Sequence, residues 1–244
     1  MTDPRKPNII GVGMGRCGTR SLFKLLGQSG KVFLSKKKET AYFNRYYESW
    51  SFQEYLSLFE GGENFPFRCE ITPSYLNSRL ARKRIHEKLS EANIVIQVRE
   101  PVSRVVSDFY NRGGTEKFGD INIFFREGLS SIKEKGLDNF FPYEHPARMI
   151  QRSIYVPSIR EWSKKFPSKR IHLISLDDVI ERPKTAYSSL SKLLGVDLSE
   201  SLHENKIRRD QQLDSSIQNE LEKLFAKDWT ITRQLIKDLD FSKL

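Results

Sequence analysis

Cysteine is scarce in this chain: Cys17 and Cys69 are the only two among 244 residues, and neither sits in a metal-ligand spacing. That count argues against a disulfide framework and against a structural zinc site. Long apolar runs are missing as well. Nowhere do about 18 apolar residues follow one another, and the opening MTDPRKPN has no apolar core, so no membrane span and no secretory leader are expected and the reading is a soluble, cytoplasmic protein. The four histidines, His86, His145, His172 and His203, have no paired acid or metal spacing and read as surface or packing residues. No internal repeat or low-complexity tract is present, and acidic residues are in deficit: 31 Asp and Glu against 41 Lys and Arg leave a net charge of +10. That balance suits an anionic cofactor, a polyanionic acceptor or nucleic acid, and equally a generally basic surface. With 38% hydrophobic residues the chain can bury one full core, and a single domain over residues 1–244 is the economical expectation.

What is present is most informative at residues 8–21, NIIGVGMGRCGTRS. An apolar run breaks into glycines and closes just before an amphipathic stretch, which is the pattern of a strand, a phosphate loop and a helix. Glycines let backbone N–H groups turn inward around a phosphate, and a helix N-terminus adds donors and partial positive charge. A Walker A loop would continue with Gly-Lys-Ser/Thr, whereas Gly18 is followed by Thr19 and Arg20. The cations come instead from Arg16 inside the loop and Arg20 after it, so the ligand reads as a phosphate handled by arginine and not by a metal.

Four further apolar runs, at 32–34, 67–71, 94–98 and 171–175, join 8–12 as expected buried parallel strands. Helical patterns are expected at 79–89, at 101–110 with proline in the first turn, and at 183–194, ending at Gly195. This alternation predicts an α/β fold: a P-loop-like doubly wound sheet, mostly parallel, with helices on both faces and ligands at the carboxyl ends of the strands. Residues 113–146 read as less regular, either an acceptor-facing insertion or peripheral packing.

The second anchor is IVIQVREPVSRVVSDFY at 94–110. Where a P-loop kinase commonly ends this strand in an aspartate for magnesium, the strand here ends in Arg99, with Ser107 two turns into the next helix. A guanidinium fork and a hydroxyl suit a second phosphate. With GxxRxGTRSLFxLL before it, this segment resembles the two cofactor signatures of sulfotransferases that use 3′-phosphoadenosine 5′-phosphosulfate (PAPS). The resemblance continues through Lys38-Glu39-Thr40-Ala41-Tyr42-Phe43, through WSFQEYLSLF at 50–59, through Glu70-Ile71-Thr72-Pro73-Ser74-Tyr75-Leu76 and through 153–162, in the order of the heparan-type and related bacterial enzymes.

That resemblance implies PAPS as co-substrate without a metal, and sulfuryl transfer to a hydroxyl or amine acceptor, with carbohydrate among the candidates and nucleic acid not expected. It implies Glu39 as catalytic base and Arg16 as the group that stabilises leaving-group charge. The loop residues Arg16, Cys17, Gly18, Thr19, Arg20 and Ser21 would hold the 5′-phosphosulfate, and Arg99 with Ser107 the 3′-phosphate. Lys206, Arg208 and Arg209 would close over the nucleotide, or form a solvated loop. Glu70 would either orient the site or pair with an arginine. Two positions depart from the pattern: relatives carry lysine at Arg16, and several heparan-type enzymes carry a functional lysine at Ile71. The competing reading is a metal-independent nucleotide- or polyanion-binding protein on a degenerate P-loop fold. It accounts for the charge but not for Glu39 or the ordered pair of phosphate signatures.

Overall fold

The computed structural model describes residues 3–200, 212–241 and 244. Strands β1 (Ile9–Gly13), β2 (Val32–Leu34), β3 (Phe67–Ile71), β4 (Asn93–Val98) and β5 (Ile171–Ser175) form one sheet in the order β2-β3-β1-β4-β5. Every pairing in it is parallel. The strands are short and mostly apolar because both faces of the sheet are covered. Side chains alternate across the sheet. Ile9, Cys69, Ile71, Val95 and Ile174 meet Leu22, Leu25 and Leu26 of α1 (Thr19–Gln28) on one face. Ile10, Val12, Ile94, Ile96 and Leu173 meet the other layer, which is built from α2 (Phe52–Ser57), α3 (Arg79–Lys88) and two later helices.

β1 lies between β3 and β4, so the chain winds outward in one direction from β1 to β2 and β3, then crosses to β4 and β5. This reversal puts the loop after β1 next to the loop after β4, the crevice where such sheets bind ligands. Helix α4 (Pro101–Asn111) leaves β4 with Pro101 in its first turn, and Glu100 caps it by accepting from Val102 N at 2.8 Å and Ser103 N at 2.6 Å.

Two expectations are corrected. The stretch 113–146 contains α5 (Gly114–Phe118) and a 15-residue helix, α6 (Ile121–Lys135), before α7 begins at Pro146. Its buried residues Ile121, Phe124, Phe125, Gly128, Leu129 and Ile132 recur at helical spacing and form a second core with Val105 and Phe109 of α4. The helix expected over 183–194 is two. After α7 (Pro146–Gln151), α8 (Val156–Ser163) and α9 (Leu176–Glu181), α10 (Pro183–Ala186) stops at Tyr187, whose φ of −95° and ψ of 5° leave the helical well. Then α11 (Ser188–Leu194) runs to a left-handed Gly195. A 24-residue helix, α12 (Ser215–Asp238), is an element that the expected helices do not include; it packs Ile217, Leu221 and Phe225 on the second core and Leu235 on the first. Among the described residues no helix is long and apolar enough to cross a membrane.

His172 is a buried strand residue within hydrogen-bond reach of Ser189 Oγ at 3.2 Å and Asn93 Oδ1 at 3.4 Å. Burial pushes its pKa down to about 4 from 6.5. Between those values the unfolded chain binds a proton that the folded chain does not, so stability falls as pH drops through this window. Urea denaturation at pH 7 and pH 5 should show a loss of about 2 kcal/mol from this group. His172→Gln should remove that part of the pH dependence; an unchanged pH slope in the variant rules it out.

Candidate active site

The end of β1 is strapped to the chain that follows β3: Gly11 O accepts from Thr72 N at 2.8 Å and Val12 O from Leu76 N at 2.6 Å, and the loop after β1 begins there. It then turns through two left-handed residues, Arg16 with φ 71° and Gly18 with φ 82°. Such turns aim successive N–H groups into one concavity that suits an anion. Gly18 is required twice over. A Cβ there would be strained, and it would lie 2.7 Å from Leu176 Cδ1. Gly18 is the cap residue of α1, and Thr19 is its first residue. Arg20 is exposed and Ser21 half-buried. Cys17 is a core residue whose thiol burial pushes up to about 12, so it offers the cradle its backbone alone.

Arg16 leaves this loop and reaches across to α4. Its Nε donates to Ser107 Oγ at 3.2 Å and its Nη1 to Asn111 Oδ1 at 2.7 Å. The two phosphate signatures, 91 residues apart for this pair, therefore meet through one side chain. Arg99, at the end of β4, is buried, and its carbonyl accepts from Tyr155 O–H at 2.8 Å.

Beside Ser107 lies a cluster that the sequence reading did not single out. Asp108, on the same helix, receives Arg104 Nη2 at 2.5 Å and Arg112 Nε at 3.0 Å, and Arg152 Nη1 stands 3.9 Å away without a hydrogen bond. Burial alone would raise the Asp108 pKa, but the charges of Arg104, Arg152 and Arg112 bring it down to about 2. Three guanidinium groups share this one carboxylate, and Arg152 lies against the tip of the loop, with Nη2 3.9 Å from Met14 Sδ. The excess cation beside a nest of N–H groups fits a ligand carrying several negative charges. Arg104 and Arg112 stand four residues either side of Asp108, a legible helical spacing; Arg152 comes from elsewhere in the chain and no local pattern points to it.

The segment that opens α8 ties the site together. Ser153, which replaces the glycine of the resembling pattern, accepts from Arg104 Nε at 3.0 Å. Tyr155 holds the Arg99 carbonyl, and Trp162 Nε1 donates to Leu76 O at 2.9 Å.

Glu39 follows β2 on the carboxyl edge of the sheet. Its side chain is exposed, and Lys38 Nζ donates to its Oε1 at 2.6 Å. Its backbone is left-handed at φ 59°, as is Ala41 at φ 52°. Such conformations cost about 1–3 kcal/mol each for residues with a Cβ and persist where neighbours over-determine them. Behind them Tyr42 and Phe43 are locked into an aromatic cluster, Tyr42 stacked on Tyr55 at 4.6 Å and Phe43 edge-on to it at 5.1 Å.

Glu70 does not pair with an arginine. Fully buried, it accepts from four hydroxyls: Thr40 at 2.7 Å, Tyr55 at 2.9 Å, Thr72 at 2.9 Å and Tyr75 at 3.3 Å. Burial raises its pKa, and the four donors oppose that rise. Ile71, at the lysine position of the resembling pattern, is a core residue packed against Gly11. His86 faces the Phe166 ring, and His145 caps α7 by accepting from Ala147 N at 3.1 Å. Lys206, Arg208, Arg209 and His203 lie outside the described residues.

A parallel α/β sheet with a glycine-rich, arginine-bearing loop at its switch point defines a P-loop-like fold without the Walker lysine. Within that class the comparisons are specific. The sulfotransferase domain family matches residues 6–234, and the chain belongs to this family of sulfate-transferring enzymes. It is 26% identical over 199 residues to human heparan sulfate glucosamine 3-O-sulfotransferase 6, covering 79% of this chain and 53% of that protein. The chain thus spans about half the length of the heparan-type relatives it matches. Its fold is that of a sulfotransferase from Alicyclobacillus acidocaldarius, with a TM-score of 0.70, 21% identity and coverage of 95% of this chain and 96% of that one. Mouse sulfotransferase SULT7A1, solved in complex with 3′-phosphoadenosine 5′-phosphate (PAP), shares the fold at a TM-score of 0.54 and 15% identity, covering 97% of this chain and 88% of that one.

Proposed function

We propose that this chain, as a single domain, transfers a sulfuryl group from PAPS to a hydroxyl or amine acceptor, with Glu39 as base and without a metal. The observation that carries the reading is the reach of Arg16 from the loop after β1 to Ser107 and Asn111, which supports reading the two signatures as one site. PAPS supplies the sulfuryl group and leaves as PAP. The backbone N–H groups of residues 17–21 would hold the 5′-phosphosulfate, together with Arg20 and Ser21. Arg99 and Ser107 would hold the 3′-phosphate, with Lys206, Arg208 and Arg209 closing over the nucleotide. Arg16 would offset charge as it develops on the leaving phosphate; arginine keeps its proton, and a weakly basic phosphate needs charge more than a proton. Burial lowers the Arg16 pKa, with the Asp108 charge opposing that. Glu39 would take the acceptor's proton. The heparan-type relatives make a carbohydrate the first acceptor class to screen.

Arg99→Ala should weaken PAP by about 1.5–3 kcal/mol and leave adenosine 5′-phosphosulfate, which lacks the 3′-phosphate, nearly unaffected. Calorimetry with both ligands in chelator is the test. Equal losses would move Arg99 away from the 3′-phosphate, and magnesium-dependent ATP binding with phosphoryl transfer would replace this reading with that of a kinase.

A further inference from the structure

Glu70 is a fully buried carboxylate whose four hydrogen bonds all come from hydroxyls, and no ion pair reaches it among the described residues. An ionised carboxylate only accepts. Against it Thr40, Tyr55 and Thr72 turn their hydrogens inward and their lone pairs outward, while the single hydrogen of Tyr75 lies between Glu70 Oε1 at 3.3 Å and Thr40 Oγ1 at 3.1 Å and leaves the Tyr75 lone pairs outward as well. Three of those lone-pair faces receive consecutive backbone amides of the segment behind Glu39. Thr72 Oγ1 accepts from Ala41 N at 3.3 Å, Thr40 Oγ1 from Tyr42 N at 3.3 Å, and the Tyr75 hydroxyl from Phe43 N at 3.2 Å. The segment so held is the one carrying two left-handed residues with side chains, Glu39 and Ala41, on either side of Thr40.

We infer that Glu70 is a positioning residue: through Thr40, Thr72 and Tyr75 it pins the backbone of residues 40–43 and so fixes the direction in which Glu39 presents its carboxylate. The assignment rests on the reading of Glu39 as base, but the pinning itself does not. Among the described residues Glu70 makes its hydrogen bonds to hydroxyls and none to Glu39 or to residues 14–18. Its effect is to orient hydroxyl dipoles, which then satisfy amides that a strained turn would otherwise leave without partners in the protein interior. A glutamine at 70 would present two hydrogens where Glu70 presents lone pairs and would force some of the hydroxyls to reverse. A valine at 40 keeps the shape of threonine but removes both the donor to Glu70 and the acceptor for Tyr42 N.

Thr40→Val, Glu70→Gln and Thr40→Ser test this, with Glu39→Gln as reference. PAP affinity by calorimetry should stay within about twofold in all four, which verifies that the fold and the phosphate loop are intact. Amide hydrogen exchange in the peptide spanning residues 39–43 should accelerate at least tenfold in Thr40→Val and Glu70→Gln, and return to the native rate in Thr40→Ser. With radiolabelled PAPS and a heparan sulfate oligosaccharide as acceptor, kcat should fall at least tenfold in the first two variants with KM for PAPS unchanged, and recover in Thr40→Ser. Native exchange in both Thr40→Val and Glu70→Gln overturns the inference. So does full kcat in these variants where Glu39→Gln is inactive. If Glu39→Gln itself transfers sulfate at the native rate, the base assignment is what fails, and the exchange measurement alone decides whether Glu70 pins the turn.

Discussion

Glu39→Gln should cut sulfuryl transfer by about 10²–10⁴-fold, the usual contribution of a positioned base, while leaving PAP affinity unchanged. Glutamine keeps the size of the side chain and one carbonyl oxygen, but it cannot accept the proton that an acceptor hydroxyl must lose. Nucleotide affinity should survive because the expected phosphate ligands come from the loop after β1 and from α4, whereas Glu39 stands beyond β2, on the far side of β3 in the sheet order. Single-turnover transfer of radiolabelled sulfate to any acceptor confirmed for the native protein, run beside PAP calorimetry, separates the two effects. Native-rate transfer by the variant would remove Glu39 from the chemistry. A parallel loss of PAP affinity would assign it to binding instead.

Asp108→Asn should produce the largest loss of stability, about 3–5 kcal/mol, the usual result of removing one partner from a buried ion pair. Arg104 is wholly inaccessible to solvent, and among the described residues its charge is matched by Asp108 alone at 2.5 Å, with Ser153 as a neutral second partner. Asparagine fits the space but leaves three guanidinium groups facing one another. On a chain of this length the loss corresponds to about 6–20 °C in melting temperature. Urea denaturation at pH 7 measures it directly. A change below about 1 kcal/mol would mean that the cluster is solvated well enough to dispense with its carboxylate. The sign with pH is fixed by the depressed Asp108 pKa: its stabilisation is present above 3.8 and disappears as pH falls toward about 2.

The parts of this site that the sequence made legible are those built by adjacent residues. A loop between a strand and a helix carries its own punctuation in Gly13, Gly18 and the apolar run before them. The Arg99-Glu100-Pro101 junction announces a strand end and a helix start in three letters. Strand order is different in kind, since nothing in the β3 sequence says that it inserts between β1 and β2. The long helix α6 is legible in principle, because its apolar residues recur every three or four positions, but the flanking aromatics Phe118, Phe140 and Phe141 fall outside that period and blur it. The role of Glu70 is not legible in the sequence because its partners, Thr40, Tyr55, Thr72 and Tyr75, are scattered over 36 residues and only the folded turn gathers them. Asp108 is the intermediate case: its i±4 arginines are visible on the helix, while the third, Arg152, arrives from another element.

The stretch from Ser153 to Trp162 sets an order of events in the making of this molecule. Its bonds to Arg104, to the Arg99 carbonyl and to the Leu76 carbonyl span 49, 56 and 86 residues of chain. Contacts of such separation carry a large loop-closure cost and form late. On the ribosome, the phosphate loop, Glu39, Arg99 and Ser107 all emerge before residue 110, yet the groups that brace Arg99 and Arg104 are synthesised some 45 residues afterwards. A nascent chain halted at about residue 120 would hold these expected ligands without the scaffold that aligns them, and so should acquire PAP binding only once α8 has been added.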